Sequence, residues 1–217
     1  MSLAPMIDNS LPEGFCYVRD PRYVVEMVYA TTNNFTGRIV NGYLGNVFIF
    51  TQAAAAALSR VQDDLDKLGK NYALKIFDSY RPTRAVADFK HWSGHPEDYK
   101  TQITYYPDLN KTDLFKLGFL MEKSAHSRGS TIDLTIVQRD PNDRNKHTEL
   151  DMGTIFDYFG EASHTFAPFI SATAKQNRQL LLDLMEKHGF ENLPVEWWHY
   201  SLKNEPFPHT SFDFPVE

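Results

Sequence analysis

Ser124-Ala-His-Ser-Arg-Gly-Ser-Thr-Ile-Asp-Leu-Thr-Ile136 changes character halfway along. From Ser130 onward polar and apolar residues alternate. Thr131, Asp133 and Thr135 fall on one side and Ile132, Leu134 and Ile136 on the other, which is the period of a half-buried β-strand. Asp133 therefore points away from the apolar face. Immediately before the strand, Arg128-Gly129 is a natural turn, because glycine tolerates positive φ, and such a turn returns His126 toward the face that carries Asp133. Taken alone, the pair reads equally well as a satisfied surface histidine and an ordinary exposed strand acid.

A second stretch, Glu196-Trp-Trp-His199, changes that balance. The two stretches together offer two imidazoles, one ligating carboxylate and one spare carboxylate. That set suits a catalytic zinc ion, which takes three protein ligands, keeps one position open for water and works beside a base that accepts the water's proton. The assignment is His126, Asp133 and His199 as ligands of one zinc per chain, with Glu196 as the base. Residues three apart in a strand face opposite ways, so Glu196 and His199 meet only if the backbone bends or bulges between them. Trp197 and Trp198 read as core aromatics, and an apolar wall there also strengthens the field at a metal.

Other elements serve as scaffold. Gln52 to Leu68 is a helix capped by Thr51, rich in alanine, with Leu58, Val61, Leu65 and Leu68 as its inward stripe and Gly69 as its stop. Tyr23 to Tyr29 and Tyr72 to Tyr80 read as strands. The second strand delivers Asp78-Ser-Tyr-Arg81 to a strand end just before Pro82, a favoured first residue of a helix. Arg81 is thus a candidate for a further chemical role, with pairing to a surface acid as the plain alternative. Residues 93 to 122 read as irregular, with one short helix around Thr112 to Leu117. Gln176 to His188 reads as a second long helix with Leu180, Leu181, Leu184 and Met185 inward. The turn holding Asp140, Asn142 and Arg144 lacks the acidic ladder and glycine of a calcium loop. Histidines 91, 95, 147, 164, 188 and 209 lack a carboxylate at useful spacing and are read as structural.

The 217 residues suffice for a single domain, 1–217, and 42% hydrophobic with 14% aromatic content fills a sizeable core. A net charge of −6 argues against nucleic acid or an anionic membrane as partner and leaves a small charged substrate open. The lone cysteine, Cys16, excludes an internal disulfide and reads as a buried thiol. No apolar run approaches the roughly 20 residues of a membrane span. Met1 to Ser10 lack the basic start and apolar centre of an export signal, so the expectation is a cytoplasmic chain, or a periplasmic one whose signal has been removed. Strands and helices do not alternate regularly, which disfavours a doubly wound parallel sheet. The expected architecture is α+β, a mainly antiparallel sheet with the metal on one face and helices on the other.

Ser-x-His-x-x-Gly-Ser-x-x-Asp at 124–133 followed by Glu-Trp-Trp-His at 196–199 resembles the zinc D-alanyl-D-alanine dipeptidases of the vancomycin-resistance type, within the family that includes D,D-carboxypeptidases and hedgehog-like domains. The likeness continues in Tyr29-Ala-Thr-Thr-Asn-Asn-Phe-Thr-Gly37, Asp78-Ser-Tyr-Arg-Pro82, Met152-Gly-Thr-Ile-Phe-Asp157 and Phe212-Asp-Phe-Pro215. The resemblance implies the same α+β architecture and hydrolysis of free D-Ala-D-Ala, with Arg81 over the scissile carbonyl as oxyanion stabiliser. It further implies that Tyr29 and Asp157 hold the substrate's ammonium and that Ser124 lines the pocket. Two alternatives stand beside it: a carboxypeptidase or endopeptidase trimming peptidoglycan stems, and a non-catalytic zinc module, which the presence of Glu196 disfavours.

Overall fold

The computed structural model describes residues 11–143 and 145–217. The opening ten residues, read above for an export signal, and Arg144 of the polar turn lie outside them.

The chain begins with β1 (Phe15–Tyr17) and β2 (Val24–Val25), then β3 (Ile49–Thr51), which runs directly into α1 (Gln52–Asp66). The Thr51 hydroxyl accepts the Ala54 amide and satisfies one of the free donors of the first turn of α1. Ala54, Ala57, Leu58, Val61 and Leu65 are buried. Leu68, expected on that stripe, lies past the helix end and is exposed, because α1 stops at Asp66 and Gly69 adopts positive φ. Gln62 on the same inward face is also buried. Its oxygen accepts the Leu74 amide and its nitrogen donates to Asp66 and the Tyr72 carbonyl, which locks α1 to the next strand.

That strand is β4 (Tyr72–Asp78), followed by α2 (Thr83–Ser93), capped at Pro82, and a single turn α3 (Gln102–Tyr105). Then come β5 (Thr131–Arg139), β6 (His147–Glu149), α4 (Ala172–Lys187), β7 (Phe190–Asn192) and β8 (His199–Leu202). The main sheet has the order β2-β4-β5-β8-β7, with β6 also pairing on β5. Only β2 is parallel to its neighbour; the other pairings of this sheet are antiparallel, as expected of the α+β reading. β1 and β3 form a separate antiparallel pair.

Several expectations shift. Tyr23 to Tyr29 is a strand only over Val24–Val25, since Met27 donates its amide to the Asn46 side chain and Val28–Ala30 winds into a 3-10 turn. β4 ends at Asp78, two residues early. α4 starts at Ala172, four residues earlier than read, because Ser171 caps it by accepting the Ala174 amide. Leu180 on α4 is half-buried while Leu182 takes a full core position. Between Lys111 and Leu117 only a 3-10 turn, Lys111–Asp113, forms. β5 is buried on both faces over Thr131–Val137 rather than on one: it is an inner strand between β4 and β8, and its threonine face is covered as well as its apolar one. Thr131 accordingly shares a hydrogen bond with Ser201, 2.8 Å.

α4 carries an unusual anchor. Arg178 is buried, with 1% of its surface exposed, and donates to three main-chain carbonyls, those of Met152, Ala162 and His164. It thereby clasps both ends of the loop 152–164. Among the described residues no helix is long and apolar enough to cross a membrane. Cys16 is buried, and burial pushes its thiol up to about 11.

Candidate active site

Sheet register builds the centre of the site. Asp78 on β4 lies opposite Asp133 on β5, and Asp133 lies opposite His199 on β8, so three polar side chains form one row across three adjacent strands. The row depends on a register shift between Ile76 and Asp78, which sets Asp78 instead of Phe77 against Asp133.

His126 enters from the 3-10 turn Ala125–Arg128, whose first amides the Ser124 hydroxyl caps by accepting from His126 N. The turn closes at Gly129 with φ 79°. A Cβ at this position would stand 2.1 Å from a Phe15 ring carbon, so the turn requires glycine for space as well as for conformation. His126 Nδ1 donates to the Ser79 carbonyl at 2.7 Å. That bond leaves the Nε2 lone pair directed at the row of strand side chains.

The required bend between Glu196 and His199 is a turn in the β7–β8 connection, in which His199 N donates to the Glu196 carbonyl. Asn192 stiffens it by donating to the carbonyls of both Glu196 and His199. Glu196 Oε2 consequently lies 3.5 Å from His199 Nδ1.

The donor atoms of His126, Asp133 and His199 all lie within 4.8 Å of one another, the one group of three or more His, Cys, Asp or Glu side chains among the described residues that could hold a metal ion. His126 Nε2 is 3.2 Å from Asp133 Oδ2 and 3.3 Å from His199 Nδ1, and His199 Nδ1 is 3.0 Å from Asp133 Oδ1. Ligand atoms around a tetrahedral ion with bonds of about 2.0 to 2.1 Å sit about 3.3 to 3.4 Å apart, so the spacing fits such an ion. The donor chemistry fits as well: two imidazoles and one carboxylate are borderline ligands for a late divalent metal.

Electrostatics follow burial. Burial alone would raise the Asp133 carboxyl, but the His126 charge and hydrogen bonds from both histidines outweigh it and hold Asp133 below the usual carboxylate range. Burial lowers His126, and Asp133 only partly restores it. Glu196 is pushed up to about 8, first by burial and then by the Asp133 charge. Among the histidines read as structural, two do have carboxylate partners: His188 Nε2 is 2.8 Å from Asp64 and His95 Nδ1 is 3.0 Å from Glu97. Both acids were missed because they lie across the fold or on a turn, not at helical spacing.

Arg81 stands beside the row. Its Nε and one terminal nitrogen both reach Asp78 Oδ2 at 2.8 Å, and the same terminal nitrogen reaches Asp133 Oδ2 at 3.3 Å. The guanidinium lies against the Tyr29 and Phe89 rings, 5.1 and 5.2 Å from their centroids, which are themselves 5.1 Å apart. Burial works against the charge, but Asp78 and its neighbours more than compensate and leave Arg81 firmly protonated. Asp78 was quoted in the sequence without a role; its other oxygen accepts the Tyr43 hydroxyl at 2.6 Å. A strand-end acid three residues before an arginine was the available signal.

Tyr29 and Asp157 meet in a buried hydrogen bond, Tyr29 hydroxyl to Asp157 Oδ2, 2.9 Å. Asp157 adopts φ 59°, a left-handed conformation that turns its carboxyl inward from the loop clasped by Arg178. Burial, followed by the Asp133 charge, raises it well above the usual range. Phe156 next to it stacks on Phe77 and meets Trp198 edge-on, while Trp197 Nε1 donates to Thr154, so the two tryptophans brace this loop from below. Ser124 lines a separate surface cleft with Thr83, Glu122, Arg128 and His209.

Residues 18–217 match the peptidase M15 family, described as D-ala-D-ala dipeptidase. A D-alanyl-D-alanine dipeptidase of Enterococcus faecium is 42% identical over 189 residues, covering 87% of this chain and 90% of the relative. One from Enterococcus faecalis is 40% identical over 208 residues, covering 95% and 100%. One from Escherichia coli is 32% identical over 184 residues, covering 84% and 80%. With a His, Asp, His group, buried but for the half-buried His199, beside a carboxyl and an arginine, and with this likeness along nearly its whole length, the chain belongs to the peptidase M15 family of D-ala-D-ala dipeptidases.

Proposed function

We propose that the chain is a metal-dependent hydrolase that cleaves the free dipeptide D-Ala-D-Ala into two D-alanines. The observation that carries this reading is the carboxyl of Glu196 beside, but outside, the three-donor group, 3.5 Å from His199 Nδ1. His126, Asp133 and His199 would hold one zinc ion per chain. When bound, that ion supplies Lewis-acid polarisation of the scissile carbonyl and acidifies water in the site.

The protein's own groups account for the remaining steps. Glu196 takes a proton from the attacking water and returns it to the leaving amine. Arg81, fixed by Asp78 and two aromatic faces, stabilises the negative charge that develops on the carbonyl oxygen. Asp157 accepts the substrate's ammonium, with Tyr29 setting its orientation. A carboxyl raised by burial and by the Asp133 charge is drawn to its ionised form when an ammonium arrives, which favours substrates with a free amine. Ser124 shapes the site through the turn that bears His126.

The test compares D-Ala-D-Ala, L-Ala-L-Ala and N-acetyl-D-Ala-D-Ala on the metal-loaded chain. Turnover of the first alone is expected. Equal turnover of the acylated compound would shift the assignment to a carboxypeptidase acting on peptidoglycan stems.

A further inference from the structure

A second pair of imidazoles lies on the surface at the end of α2. His91 is in its last turn, and His95 follows one turn later, beyond Gly94. Their Nε2 atoms face each other at 3.4 Å, with ring centroids 4.6 Å apart. This matches the about 3.3 to 3.4 Å between two nitrogens on a tetrahedral ion.

The surroundings orient the pair. Glu97 Oε1 accepts from His95 Nδ1 at 3.0 Å, which leaves the Nε2 lone pair directed at His91. A carboxylate behind a ligating imidazole is the usual outer partner of a metal-bound histidine. The backbone is fixed too. His95 N donates to the Trp92 carbonyl, and Asp98 N to the His95 carbonyl. Lys111, itself buried, donates to the carbonyls of His95 and Asp98 and lies 4.1 Å over the Trp92 ring. Two ligands held at the right spacing lose little freedom when an ion binds.

We propose that His91 and His95, oriented by Glu97, form a second cation site, separate from the His126, Asp133 and His199 group, for late divalent transition metals such as Zn2+, Ni2+ and Cu2+. Imidazole nitrogens favour these ions over Mg2+ and Ca2+, which take oxygen ligands. The protein supplies two ligands, so water completes the shell and the ion exchanges more readily than at the three-ligand centre. Occupancy fastens the end of α2 to the turn behind it.

The experiment titrates Zn2+ into the full chain in competition with a chromophoric chelator, for the wild type, H91Q, H95Q, E97Q and H126A. H91Q and H95Q are expected to lose one weaker class of site while keeping hydrolytic activity, and H126A is expected to retain that class. E97Q should bind at the weaker site about 10 to 100 times less tightly. Cu2+ added to H126A should show two coupled nitrogens by electron paramagnetic resonance, and at most one from this pair in H126A with H91Q. Because all three side chains are on the surface, unchanged circular dichroism of the variants secures the comparison. Identical zinc stoichiometry and affinity in wild type and H91Q would overturn the proposal, and unchanged affinity in E97Q would remove Glu97 from it.

Discussion

Asp78 and Asp133 oppose each other across neighbouring strands, and a single terminal nitrogen of Arg81 reaches both, at 2.8 and 3.3 Å. Two buried acids side by side repel unless a cation lies between them, so the arginine holds the strand pair together as well as facing the site. Asp78→Ala is expected to free the guanidinium and lower kcat/KM for D-Ala-D-Ala by about 100- to 1,000-fold, the usual cost of a lost oxyanion donor. Metal content by elemental analysis should stay near wild type. A parallel loss of metal would show that Asp78 supports the ligands instead.

Glu196→Gln removes the proton acceptor while leaving a side chain of the same size. The variant should keep its metal and lose at least about 100-fold in kcat, within the range assigned to general acid–base catalysis. Steady-state kinetics on metal-loaded protein decide it, and near wild-type turnover would take Glu196 out of the mechanism. His126→Ala, by contrast, should lose the metal.

Glu196 also makes a prediction for the metal-free chain. Its carboxyl is raised from 4.5 to about 8 in the folded protein. Between those values the folded chain keeps a proton that the unfolded chain has released, so stability falls as pH rises. Denaturant unfolding of chelator-treated wild type and Glu196→Gln at pH 5, 6.5 and 8 should show the wild type losing ground steadily against the variant. Parallel pH curves would contradict the assignment of that burial penalty to Glu196.

Asp157→Asn leaves an amide oxygen to accept from Tyr29 and removes the charge that the carboxyl takes up opposite an ammonium. KM for D-Ala-D-Ala should rise about 10-fold or more, because hydrogen bonds to a charged group contribute about 1.5 to 3 kcal/mol. The kcat should change less. A loss confined to kcat would mean that Asp157 acts on the reacting atoms and not on the ammonium.

Gly129→Ala tests the turn that presents His126. A left-handed alanine costs about 1 to 2 kcal/mol, and overlap with Phe15 adds about 1 to 3 kcal/mol. Chemical denaturation should therefore show a loss of about 2 to 5 kcal/mol.

Much of this arrangement was legible in the chain. Alternation over Thr131 to Ile136 placed Asp133 on the correct face, and Gly129 marked the turn that returns His126. The bend needed between Glu196 and His199 was deducible from strand geometry alone. The central position of β5 was not, because burial on the threonine face depends on strands distant in sequence, which periodicity does not register. The same holds for Asp78: its place opposite Asp133 arises from a register shift that leaves no local signature. Short 3-10 turns at Val28–Ala30 and Lys111–Asp113 were read as strand and helix, since side chain to backbone bonds and tight turns override propensity there.

The choice of carbonyl oxygens, and not a carboxylate, as acceptors for Arg178 has a consequence for the loop it grips. Asp133, Asp157 and Glu196 already crowd three carboxyls into one small volume, and the Asp133 charge helps to raise the other two. An acid recruited to pair with Arg178 would itself have to be desolvated, whereas buried peptide carbonyls need a hydrogen-bond donor in any case. Because peptide carbonyls do not titrate, the grip on the loop persists through the pH range in which the neighbouring carboxyls change charge.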